Sequence, residues 1–419
     1  MAIIHPFRAL RPPVERAADV SAVPYDVVNS EEAADLAKGN PWSFLHVSRP
    51  EIDLPPGIDL YADEVYAKAA ENFRKLVDEC PLVLDDEPSL FLYRLRMGDH
   101  EQTGLVACCS VDEYDGDLIK KHERTRRDKE DDRTRHLVTL GAQTGLFFLT
   151  YRGQKEIDAA AAEVVAGEPL YDFTAPDGIA HTLWRVPEPA RFVEMFGAVP
   201  ALYVADGHHR SASASRARAE LAAKNPAHTG DEEYNFFLAV VFPGDQLQIL
   251  PYNRTVKDLN GLTPNRFLDA VRERFEVSES ASPSPERGRF SMYLGGSWYG
   301  LTPPAGSVDA ADPIGSLDVS VLQDRLLEPV LAVHDVRTDK RIDFVGGIRG
   351  TAELERLVDS GKAAVAFSLY PTTVDDLMRI ADAGEIMPPK STWFEPKLRD
   401  GLVIHLINGS HQTPDDRQP

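Results

Sequence analysis

A mixed α/β fold follows from three features of the sequence. Strand-like apolar runs alternate with amphipathic helical patterns along most of the chain. One such strand, within VPALYVADGHHR, runs directly into a glycine and a helix, SASASRARAELAAKN. The composition, 43% hydrophobic and 27% charged over 419 residues, is that of a packed chain rather than a disordered or fibrous one. That length predicts two or three domains, or one large catalytic unit with an appended lobe.

The elements follow in order. Residues 1–50 crowd prolines, aromatics and polar groups together and read as loop with one short helix. Ser30 caps that helix, Glu31 and Glu32 suit its positive end, and Gly39-Asn40-Pro41 stops it. Val65, Ala69, Phe73, Leu76 and Val77 recur at helical spacing and predict a helix over about 62–78. SLFLYRLRM and TGLVACCSV flank the turn Gly98-Asp99-His100 and read as a hairpin. LFFLTYRG and TLWRV predict strands, EIDAAAAEVVAG a helix, and FFLAVVFPG and LQILPYNRTV further strands, with Asn253 and Arg254 at the close of the last. The segment SESASPSPERGRF is rich in Ser, Pro and Gly and suggests an exposed connection, beyond which strands and helices alternate again. The expected division is a first region over 1–255, a mixed α/β lobe over 256–410 and a loose tail over 411–419.

Charge narrows the function. Lys and Arg number 45 against 67 Asp and Glu, a net charge of −22, which argues against nucleic-acid and membrane-surface partners. No apolar run reaches membrane-spanning length and MAIIHPFRALRPP lacks a signal-peptide core, so a cytoplasmic location is expected. Cys80, Cys108 and Cys109 have no zinc spacing and read as buried small hydrophobes. No nucleophile elbow, P-loop, zinc helix or dinucleotide fingerprint is present.

Chemistry concentrates at Asp206-Gly207-His208-His209-Arg210. A helix start offers unpaired N–H groups and partial positive charge, and Gly207 lets backbone approach an anion. His208, His209 and Arg210 add donors, while Asp206 is a candidate magnesium ligand or proton acceptor. Upstream, Lys121, His122 and Arg124 suit a polyanion, and Glu123 is a candidate base. The acidic and basic residues that follow, RRDKEDDR, fit a solvated helix face equally well. Tyr25 and Asp26 are candidate substrate ligands, as are Asn253 and Arg254. Lys390, in a proline-stiffened loop, is a candidate phosphate ligand.

VPYDVVN, KHERT, VADGHHRSASA and MPPKSTWFEPK together resemble the domain-of-unknown-function family 1015 over essentially the whole chain. The Gly-x-x-Arg at a helix head is similar to the phosphate loop of the ParB and sulfiredoxin superfamily. That likeness implies a ParB-like catalytic region with a second lobe. Sulfiredoxins hold a reactive cysteine where His208 stands, so their chemistry is excluded. Serine kinases of this superfamily imply transfer of phosphate from pyrophosphate or a nucleotide to free L-serine, with Mg2+. A phosphate donor and an amino-acid acceptor would then be the partners. The alternatives are a non-catalytic nucleotide or phosphate sensor and a phosphoserine phosphatase.

Overall fold

The structure, a computed structural model, describes residues 2–408; the tail expected at 411–419 lies outside them. The architecture is mixed α/β, in two compact units: Met1–Leu247 with Pro396–Pro419, and Gln248–Glu395.

The first unit is organised by a nine-stranded sheet. Its path runs Ile119–Lys120, Leu202–Asp206, Phe147–Tyr151, Phe236–Pro243, His100–Ser110, Phe91–Met97, Ala180–Arg185 and Tyr171–Thr174, with Ile4–His5 added against His100–Ser110. Two pairings are parallel, Leu202–Asp206 with Ile119–Lys120 and Phe236–Pro243 with Phe147–Tyr151. The expected hairpin forms, turning at Gly98 with φ 58°. Phe147, Leu149, Val204, Ala239 and Val241 pack in one core with Ile157 and Ala160 of helix Lys155–Val165 and Phe192 and Phe196 of helix Pro189–Phe196. Central strands buried on both faces explain why these segments read as continuous apolar runs rather than alternating ones. All three cysteines are free and buried. No helix among the described residues is long and apolar enough to cross a membrane.

The second unit holds a six-stranded antiparallel sheet, in the order Glu276–Glu279, Ser297–Thr302, Phe290–Leu294, Val365–Leu369, Tyr252–Val256 and Ile342–Gly346.

Three details differ from the sequence expectation. Tyr252–Val256 pairs with Ile342–Gly346 and Val365–Leu369, so the second unit begins at Gln248 rather than 256, and Asn253 and Arg254 lie inside a strand rather than at its close. Residues 396–408 return to the first unit, because Ile404–Leu406 pairs with Ala9–Arg11 and Ala142–Gln143. Such pairings between distant segments leave no trace in local periodicity. The helix Ser30–Ala37 is capped by Asn29, whose side chain accepts from Glu32 N while the Glu32 carboxylate accepts from Asn29 N. The acidic residue three positions on selects Asn29 over Ser30.

Candidate active site

The parallel pairing of Ile119–Lys120 with Leu202–Asp206 sends both chains out of the same sheet edge in the same direction. The residues just past each strand end, His122 with Glu123 and Gly207 with His208, are thereby brought together. Gly207 takes a left-handed conformation, φ 88°, that lets the chain turn at once into helix His208–Lys224. Its chain neighbours aside, the nearest described atom to where its Cβ would stand is Arg210 Cδ, at 4.0 Å, so the turn is open.

Asp206 sits at the mouth of this turn, half-exposed. One carboxylate oxygen accepts from Gly207 N at 2.8 Å and the other from Lys397 Nζ at 2.8 Å. Burial pushes its pKa up, but the Lys397 ammonium and the Gly207 N–H outweigh burial and hold it down at about 2. The group is ionised throughout the physiological range. A magnesium ion on Asp206 would compete with the Lys397 ammonium for that oxygen.

Behind the turn, Arg210 grips Asp400 with both arms, at 2.9 and 3.1 Å, and both side chains are nearly buried. Burial disfavours the guanidinium charge, yet Asp400 keeps Arg210 firmly protonated. The two-oxygen grip read as a phosphate clamp is therefore engaged by a carboxylate, and Arg210 would have to release a bond to hold a donor. Arg210 and Arg133 flank the Tyr25 ring, their guanidinium carbons 5.2 and 4.0 Å from its centroid. Burial raises the Tyr25 pKa to about 12, so the phenol stays protonated. Asp26 is exposed and close enough to act electrostatically on both His209 and Arg210. A cavity of about 40 Å³ lined by Tyr25, His136, Thr144, Gly145, Arg210 and Asp400 takes water-sized groups rather than a nucleotide.

His122 and His208 are buried, 1% and 5% exposed, with ring centroids 4.4 Å apart and planes at 89°. Both nitrogens of His122 and Nε2 of His208 meet no hydrogen bond of normal geometry. Burial lowers the His122 pKa to about 4, opposed by the Val204 backbone and Asp206, and lowers that of His208 well below its usual value. His209 is also lowered by burial, and its Nε2 accepts from Arg126 N at 3.2 Å, which places the proton of the neutral ring on Nδ1.

Among the cations, Lys121 pairs with Asp117 at 2.7 Å and lies 4.3 Å over the Tyr114 ring, whereas Arg124 is exposed and has no ion pair among the described residues. The run that follows is a helix, Arg127–Leu140, as its charge pattern allowed. Its charges meet both other elements and one another: Glu130 and Asp131 meet Arg216 and Arg135 meets Asp63, while Arg133 pairs with its neighbour Asp132 at 2.8 Å.

Tyr25, Asp26, His122, Glu123 and Asp206–Arg210 thus share one end of the first unit. Asn253, Arg254 and Lys390 belong to the second unit, where Asn253 Oδ1 accepts from Leu369 N at 3.1 Å. Arg254 donates to Lys390 O at 2.9 Å and to Tyr252 O, and burial lowers its pKa to about 10. The Lys390 ammonium lies 5.6 Å over the Tyr252 ring.

Sequence reasoning passed over Lys397, Asp400 and Gly145 as site residues. Lys397 closes the same MPPKSTWFEPK run that drew attention to Lys390, so its signal was present. Asp400 carries none in the sequence. Gly145 is needed because any side chain there would collide with the Arg210 guanidinium.

The family described as "Protein of unknown function (DUF1015)" matches residues 4–320. The chain belongs to the DUF1015 family. No curated protein matches the sequence. Among solved structures, this DUF1015 chain is similar to a free serine kinase in complex with AMP, at 14% identity and a TM-score of 0.35, over 71% of this chain and 91% of that one. A conserved hypothetical protein from Pyrococcus furiosus gives 14% and 0.34, over 72% and 95%. SbnI with C-terminal truncation from Staphylococcus aureus gives 11% and 0.37, over 74% and 92%.

Proposed function

We propose that the chain is a small-molecule kinase that transfers phosphate from pyrophosphate or a nucleotide to the hydroxyl of free L-serine. The observation that supports this most is the ionised Asp206 held by Lys397 at an open glycine turn, directly before a helix. In this reading the helix-start N–H groups and the Lys397 ammonium hold the donor's phosphates, and Asp206 accepts the hydrogen bond of the attacking hydroxyl. Arg124 adds an exposed cation. Magnesium carried by the donor would supply charge neutralisation, as a hard cation that prefers oxygen ligands. The serine acceptor rests on the likeness of the Gly-x-x-Arg helix head to the phosphate loop of the superfamily that includes serine kinases.

The test is to incubate the protein with magnesium and L-serine, offering pyrophosphate, ATP or ADP in separate samples, and to follow O-phosphoserine by phosphorus NMR. Product with one donor supports the kinase and identifies that donor. Absence of product in folded protein that binds donor favours the sensing module, and orthophosphate release from O-phosphoserine alone favours the phosphatase.

A further inference from the structure

The parallel strand ends bring together a second set of groups that the transfer reaction does not use as such. One ligand atom each from His122, Glu123 and His208 lie within 4.8 Å of one another. The two histidines are more than nine-tenths buried, and three of their four ring nitrogens have no hydrogen-bond partner of normal geometry. Buried polar atoms are satisfied in the great majority of cases; here the Val204 backbone acts on His122 only as a loose acceptor, which leaves nitrogens on two adjacent rings open to a further partner. The two rings meet edge to face.

We propose that His122, Glu123 and His208 form a binding site for a divalent transition-metal ion of the zinc class. Two imidazoles and one carboxylate make a donor set that suits zinc, cobalt, manganese or ferrous iron, whereas magnesium takes oxygen ligands. Bonds of about 2.0–2.2 Å place ligand atoms of a tetrahedral shell roughly 3.3–3.5 Å apart, which small side-chain rotations reach from the observed separation. Three protein ligands leave a coordination position open, the arrangement of metal sites that act on a substrate rather than only brace a fold. The site differs from the magnesium expected with the donor both in residues and in ligand chemistry. It also stands whether or not the chain transfers phosphate.

Metal binding is measured on the full chain, stripped with chelator and supplied with no donor or serine. Cobalt titration followed by visible absorption, and zinc content by mass spectrometry after desalting, are expected to saturate at one ion per chain. His122→Ala and His208→Ala are each expected to weaken binding at least tenfold, while His334→Ala, an exposed histidine of the second unit, leaves it unchanged. Should either active-site variant fail to fold, imidazole NMR signals of the wild-type chain decide, since those of His122 and His208 must shift on zinc addition. Folded wild type that retains neither ion, or binding that His122→Ala leaves intact, overturns the proposal.

Discussion

Two polar clusters, one around Asp206–Arg210 in the first unit and one around Asn253, Arg254 and Lys390 in the second, are built from similar residue types and end in different states. In the second, the hydrogen-bonding capacity is consumed by the fold: the Arg254 fork meets two backbone carbonyls and Asn253 meets a backbone N–H. In the first, capacity is left over at Arg124 and the paired imidazoles, beside an ionised carboxylate on an open turn. The difference follows from position. A polar residue inside a central strand must satisfy itself against neighbouring backbone. One just beyond a strand end, at a helix start, is under no such demand and is available to a ligand.

The largest expected effect tests the first cluster. Asp206→Asn keeps shape and removes charge, so turnover to O-phosphoserine should fall about 10²–10⁴-fold, with circular dichroism unchanged. A near-normal rate would remove Asp206 from the reaction.

Arginine substitutions separate the clusters further. Arg210→Ala leaves Asp400 buried and unpaired, and should cost about 3–5 kcal/mol in urea unfolding. Arg254→Ala strands two carbonyl groups and no carboxylate, so about 1–3 kcal/mol is expected. If Arg254→Ala instead raised KM for serine or donor at unchanged stability, the second cluster would be a binding site and the contrast would fail.

The sheet and helices were legible because their apolar periodicity is local, as in the hairpin around Gly98 and the helix Asp63–Glu79. The loop at Asp206 was legible for the same reason, since strand, glycine and helix are contiguous. What stayed hidden depends on distant partners. Asp400 meets Arg210 across 190 positions, and His122 meets His208 only because an edge strand of two residues pairs in parallel with Leu202–Asp206. Only the placing of Arg254 at a strand end erred, because the register that buries it is supplied by residues 342–346 and 365–369.

Acid should loosen the first unit through two of its buried histidines. Burial lowers both His136 and His181 to about 3, with His136 Nε2 2.9 Å from Val47 O and His181 Nδ1 2.8 Å from Tyr93 Oη. Their unfolded value is about 6.5, so the unfolded chain binds more protons between these limits. The stability they contribute is full above pH 6.5 and is lost as pH falls toward 3. Each should cost on the order of 2 kcal/mol by pH 4.5, seen as a drop in the urea midpoint. A flat midpoint from pH 7 to 4.5 would show that these rings are already hydrated in the folded chain.

The smallest effect is the most local. At Gly207, φ is 88° and an added Cβ would meet nothing closer than Arg210 Cδ at 4.0 Å, so Gly207→Ala meets strain without collision. Holding alanine in a left-handed conformation costs about 1–2 kcal/mol. The methyl group would also stand on the open face of the turn where the donor is expected to approach. Two readouts therefore part company. If the turn only links strand to helix, thermal unfolding shifts by that amount and the affinity for donor stays put. If it holds phosphate, donor affinity measured by calorimetry falls further than the strain accounts for, because the methyl group occupies the space the anion needs.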